Sequence, residues 1–85
     1  DARYLALYRP STDLKPLGDT YRRKGGLNHI GVVVDNLDAT EERVINAGFT
    51  PMSRADYEPG RRFYFHDDAG VEFEVISYKK PGKAI

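Results

Sequence analysis

Apolar and polar positions alternate along several short segments of the chain, and the clearest segment is residues 27–35. Within it Ile30 and Val32 fall on one face, and His29 and Gly31 fall on the other. Period-two alternation with β-branched side chains is typical of a strand with one buried face. The pattern therefore predicts a strand over 27–35.

A different spacing follows, over residues 38–47. Asp38 and Glu41 stand three residues apart, as in a capping box, and Val44 belongs to an apolar stripe with helical spacing. Gly48 comes directly after this segment, where a glycine commonly ends a helix. The segment is predicted to be a helix.

Three more alternating segments come after the helix, separated by turn-forming residues. A Pro-Gly pair at 59–60 and the run Asp-Asp-Ala-Gly at 67–70 supply the turns. The predicted strands cover residues 50–56, 61–66 and 71–78. Residues 27–78 thus form one unit in the order strand, helix, strand, strand, strand, which is an α+β fold with the helix on one face of a mixed sheet.

The segments on either side of this unit have a different character. Residues 2–8 alternate like a strand, and residues 10–26 are rich in Pro, Gly and polar side chains, which indicates a long connection. Since the chain opens on Asp1 rather than Met, we expect residues 1–26 to be the end of a preceding module. The tail at 79–85 is expected to be flexible.

The amino-acid composition excludes some classes of binding partner and some kinds of site. Thirteen Lys and Arg residues balance thirteen Asp and Glu residues, so the formal net charge is zero. This balance argues against nucleic acid and against a polybasic membrane anchor as partners. Cysteine is absent, which excludes disulfides and thiolate metal sites. No signal peptide or membrane span is evident, so a cytoplasmic protein is the expectation.

The chemistry-bearing residues of the predicted unit converge on one face of its sheet. If the apolar positions of the strands pack on the helix, His29 and Glu74 both point to the opposite face. An imidazole and a carboxylate on adjacent strands can supply two ligands to a divalent metal. Two copies of the chain would supply four. The alternative interpretation is an ordinary hydrogen-bonded polar pair.

Other side chains could serve the same face. Arg62 and Tyr64 share a strand face with His66, so Arg62 could hold an anionic substrate group and Tyr64 could donate a hydrogen bond. Tyr78 could line the rim of a pocket. The alternative is that these side chains only cover the surface of the sheet, with His66 bonded locally within its turn.

Three stretches carry a family resemblance. They are Leu-Asn-His-Ile-Gly-Val-Val-Val-Asp at 27–35, Asn-Ala-Gly-Phe at 46–49, and the run from Arg62 to Val75. Together they resemble the vicinal oxygen chelate superfamily, which includes glyoxalase I, extradiol dioxygenases and bleomycin-resistance proteins. The resemblance covers residues 27–78 and implies one βαβββ module, two of which pair as a cupped half-barrel.

The resemblance also implies roles for individual residues. His29 matches the metal-binding histidine of the first strand, and Glu74 matches the glutamate of the last strand, four residues after Gly70. The metal would be nickel, zinc, iron, manganese or cobalt, and Glu74 could also move a proton as a catalytic residue. A homodimer would complete the site, acting as a metal-dependent lyase, isomerase or dioxygenase.

Two other functions remain open at this point. Some members of the superfamily bind drugs without a metal, so the chain could be a metal-free small-molecule-binding dimer with an aromatic pocket. It could also be a non-catalytic remnant that only dimerises. Every one of these hypotheses requires a second copy, because one sheet cannot close the cup.

Overall fold

The computed structural model describes residues 3–16, 18–57 and 60–78. Within them the regular elements follow the predicted order. They are a 3-10 turn at Thr20–Arg22, β1 at His29–Val33, α1 at Leu37–Asn46, β2 at Met52–Tyr57, β3 at Gly60–His66 and β4 at Glu72–Ser77. The fold is α+β, and the prediction of a strand, a helix and three further strands is confirmed.

The four strands form one mixed sheet in the spatial order β1-β4-β3-β2. β1 runs parallel to β4, while β4 with β3 and β3 with β2 are antiparallel. The turn after β3 is closed by Asp67, whose side chain accepts hydrogen bonds from the backbone N–H groups of Ala69 and Val71. This turn places Glu72 opposite His66 across the β3–β4 ladder.

The core lies between α1 and one face of the sheet. Leu37 and Val44 of the helix pack with Phe63 and Val75 of the two central strands, and Phe63 is completely buried. Since side chains alternate along a strand, this packing sends the neighbours of Phe63 and Val75 to the other face. That second face carries most of the polar residues of β3 and β4.

The start of α1 differs from the prediction. Asn36, rather than Asp38, is the N-cap residue, and its side-chain oxygen accepts a hydrogen bond from the N–H of Ala39. Asp38 lies in the first turn and, together with Glu41, pairs with Arg54 of β2. The side chains that suggested a capping box instead tie the helix to the sheet.

Residues 3–8 are exposed and belong to no strand, so the predicted preceding strand is wrong for the part of it that the structure describes. A strand needs a neighbouring strand to hydrogen-bond with, and alternation alone does not provide one. The predicted tail at 79–85 lies outside the described residues. No helix in the described chain is long and apolar enough to cross a membrane.

Gly60 begins β3 at a point where the backbone of β4 comes close. A Cβ at this position would lie 2.8 Å from the carbonyl oxygen of Ser77. Gly60→Ala should therefore lower the free energy of unfolding by about 1–3 kcal/mol, because the strands must move apart. Gly31→Ala is the control, since its Cβ would come no closer than 4.0 Å to Glu74 Oε1. Equal urea midpoints for the two variants would contradict this explanation.

Candidate functional site

His29 and Glu74 meet on the sheet face opposite the helix. Nε2 of His29 lies 3.1 Å from Oε1 of Glu74, although the two residues are 45 positions apart in sequence. The parallel register sets Glu74 beside Gly31, which has no side chain to cover the carboxylate. The His29 side chain is 34% exposed and that of Glu74 is 15% exposed. The pair is thus half-buried and remains accessible from the open side.

Both ring nitrogens of His29 face oxygen acceptors. Nδ1 lies 2.6 Å from Oδ1 of Asn28, whose side-chain amide donates in turn to Thr20. A neutral imidazole has only one N–H and can donate to only one of these oxygens. Which ring nitrogen donates depends on the tautomer, because Nε2–H would donate to Glu74 and Nδ1–H would donate to Asn28. Asn28 fixes the ring orientation in either case, as outer partners of metal-binding histidines do.

Arg62 holds the other oxygen of the same carboxylate. Its Nη1 donates to Oε2 of Glu74 at 3.2 Å, and its Nη2 donates to the carbonyl of Gly60. The guanidinium also lies 5.9 Å from the centre of the Tyr57 ring. Arg62 thus lies on the face of the pair and binds Glu74, whereas the sequence suggested that it could hold an anionic group of a substrate.

Tyr64 forms the next part of the face. Its ring packs edge-on against the imidazole of His29, with 5.8 Å between ring centres. Burial raises the pKa of the Tyr64 hydroxyl, and the negative charge of Glu74 and a hydrogen bond to it add to the effect. The phenol therefore stays protonated beside the carboxylate and can act as a donor.

The raised pKa of Tyr64 predicts a pH dependence of stability. Above about pH 10 the unfolded chain loses this phenolic proton first, because the folded chain holds it more tightly. The free energy of unfolding should therefore fall as the pH rises above 10. Urea denaturation at pH 8 and at pH 11 should show a smaller fall for Tyr64→Phe than for the wild type. Identical falls would show that Tyr64 does not contribute.

Tyr78 lies away from the pair. It follows the end of β4, is more than half exposed, and packs beside Gly60.

A second pair on the same face was not anticipated as a site. His66 Nε2 lies 3.6 Å from Glu72 Oε1, and the hydroxyl of Tyr21 donates to Glu72 Oε2 at 2.8 Å. The period-two alternation that places Glu74 on this face also places Glu72 there, but nothing in the pattern indicates that Tyr21 folds back.

The donor set of one chain is small. Across residues 3–16, 18–57 and 60–78, no three His, Asp or Glu side chains are grouped so that they could hold a metal ion. The pair of His29 and Glu74 is nevertheless spaced for adjacent ligands. Two donors bound at right angles, each about 2.1 Å from one ion, lie about 3.0 Å apart. The 3.1 Å contact between His29 and Glu74 is therefore compatible with two metal ligands as well as with a hydrogen bond.

Comparisons with known proteins give information about the fold and none about the function. No protein-family model matches the chain, and no curated protein matches it. Among solved structures, the chain is similar to the crystal structure of SMU.1112c, with a TM-score of 0.55 and 24% sequence identity. The similarity covers 89% of this chain but 53% of that one, so the chain spans about half the length of that protein.

Proposed function

We propose that the chain is a metal-binding module of the vicinal oxygen chelate type, and that two copies complete one site. The observation that carries the proposal is the contact between His29 Nε2 and Glu74 Oε1 at 3.1 Å, on the open face of a βαβββ unit. In a neutral imidazole whose Nδ1–H is used by Asn28, Nε2 presents a lone pair toward the carboxylate. A divalent cation could take this lone pair and the Glu74 carboxylate as two of its ligands.

A second copy supplies what one copy lacks. Two His29 and two Glu74 side chains give four ligands, and a six-coordinate ion keeps two positions for neighbouring oxygens of a small substrate. Both β1 and β2 are sheet edges, and Val33 on the polar face is 66% exposed. Open edges and exposed apolar side chains favour association between copies. The paired modules would form the cupped half-barrel of this proposal.

Each residue of the site has a distinct task in this arrangement. The ion, when bound, would act as a Lewis acid toward oxygens of the substrate. His29 is held in orientation by Asn28, and Arg62 holds the Glu74 carboxylate in place. Glu74 can take up a proton at Oε2 when it separates from Arg62. The Tyr64 hydroxyl supplies a hydrogen-bond donor beside both groups.

A second candidate function is favoured by a specific contact. Arg62 already satisfies Glu74 without any metal, and the aromatic rings of Tyr57 and Tyr64 lie close to this ion pair. These features also suit a metal-free dimer that binds a small planar molecule against its tyrosines. This function predicts tight binding of an aromatic ligand by protein that contains no stoichiometric metal.

Metal uptake separates the two functions. Wild-type protein dialysed against nickel, zinc, iron, manganese or cobalt should retain one ion per two chains with at least one of these metals. Glu74→Gln should retain less than a tenth of that amount, because an amide is a poorer metal ligand than a carboxylate. Glu72→Gln is the matched control on the same strand and face, and it should retain the wild-type amount. Equal retention by all three proteins would contradict the proposal.

A further inference from the structure

A second part of the open face is built around Glu72. The segment before β1 returns over the sheet at the 3-10 turn Thr20–Arg22, where the side chain of Asp19 accepts a hydrogen bond from the N–H of Tyr21. Asn28 links to Thr20 from the start of β1. The turn places the Tyr21 hydroxyl 2.8 Å from Glu72 Oε2, across 51 positions of sequence.

The charge of Glu72 is less compensated than that of its neighbour on β4. Glu74 has a guanidinium at 3.2 Å, from Arg62. Within the part of the chain that the structure describes, the ion-pair partner of Glu72 is His66, at 3.6 Å, which is longer than a hydrogen bond. The side chain of Glu72 is only 11% exposed. One oxygen of a largely buried carboxylate is therefore left without a close cation.

Glu72 lines an open cleft of about 410 Å³, which is the size of a small-molecule site. Aromatic and thioether groups supply much of its wall, and the backbone of Ser53 has a positive φ of 53° at a β-bulge in the same wall. The cleft is lined by Tyr21, Met52, Ser53, Tyr64, His66 and Glu72. A carboxylate flanked by phenol rings is the arrangement that recognises organic cations, through an ion pair and cation–π contacts.

We propose that the cleft between Tyr21 and His66 binds a small organic cation, a protonated amine that carries a ring, with Glu72 as its counter-ion. The ammonium group would donate to Glu72 Oε1, and the ring would lie between Tyr21 and Tyr64. The site is formed by one chain and uses neither His29 nor Glu74. It shares Tyr64 with the proposed metal site, but its counter-ion is a different carboxylate.

Benzylammonium is a suitable probe, with benzyl alcohol as its neutral analogue of the same shape. Titration followed by amide chemical shifts should give saturable shifts around Tyr21, Ser53 and Glu72 for the amine. Glu72→Gln should weaken its binding at least tenfold, because the counter-ion is removed. Glu42→Gln is the charge-matched control on the exposed side of α1 and should bind as the wild type does. Benzyl alcohol should bind wild type and Glu72→Gln equally.

His66→Arg is a second test variant, and it keeps the Glu72 side chain in place. A permanent cation beside Glu72 should compete with the amine and weaken its binding by a similar factor. Amine binding that is unchanged in both variants, or that is lost only in Glu74→Gln, would overturn the proposal. Metal retention by the same Glu72→Gln protein is measured separately, so failure at either site is distinguishable from failure at the other.

Discussion

Phe63→Ala should lower the free energy of unfolding by about 3–5 kcal/mol at 25 °C. Phe63 is completely buried between α1 and the sheet, and removing a buried phenyl ring costs about 3–5 kcal/mol. A chain of 85 residues has a total stability of roughly 4–13 kcal/mol, so this loss takes most of it at the lower end. Circular dichroism and urea denaturation would measure the loss directly.

Phe63→Leu is the matched control, because it keeps most of the buried volume and should cost only about 1 kcal/mol. A Phe63→Ala protein with the wild-type urea midpoint would contradict the core as described. The result would then mean that α1 and the sheet do not depend on each other for stability.

Arg62→Met should lower the free energy of unfolding of the metal-free protein by about 2 kcal/mol. The Glu74 side chain is 15% exposed and loses the guanidinium that donates to Oε2. An ionised carboxylate that is left largely buried without its partner is costly, and partial exposure keeps the cost below that of a fully buried pair. Urea denaturation in the presence of a chelator would measure it.

The double variant Arg62→Met with Glu74→Gln tests the cause. It should recover most of the lost stability, because a neutral amide does not need the guanidinium. Costs that simply add would show that Arg62 acts through its packing on Tyr57.

Under the proposed function, Arg62→Met should also bind metal several-fold more tightly, since a positive charge is removed beside the ion.

Local patterns were sufficient for much of the fold. Apolar alternation identified β1 and β4, and the helical spacing between them identified α1. Because alternation has a period of two, it also fixes which side chains share a face once the buried side is known. This is why His29 and Glu74 could be expected together before their 3.1 Å separation was observed.

Long-range contacts could not be predicted in the same way. Whether Arg62 points to substrate or bonds to Glu74 depends on the register between β3 and β4, which a strand pattern does not specify. The return of Tyr21 to Glu72 depends on the path of a connection with no periodic pattern. The strand predicted at residues 2–8 does not form over the described residues 3–8, because alternation does not supply a partner strand.

Native mass spectrometry of metal-loaded protein tests the central claim most directly, because it counts chains and ions in one particle. The account predicts a wild-type particle of two chains and one divalent ion, with the ion lost in His29→Ala and in Glu74→Gln. A metal ion carried by a single chain, or retained by both variants, would contradict a site formed by His29 and Glu74 from two copies.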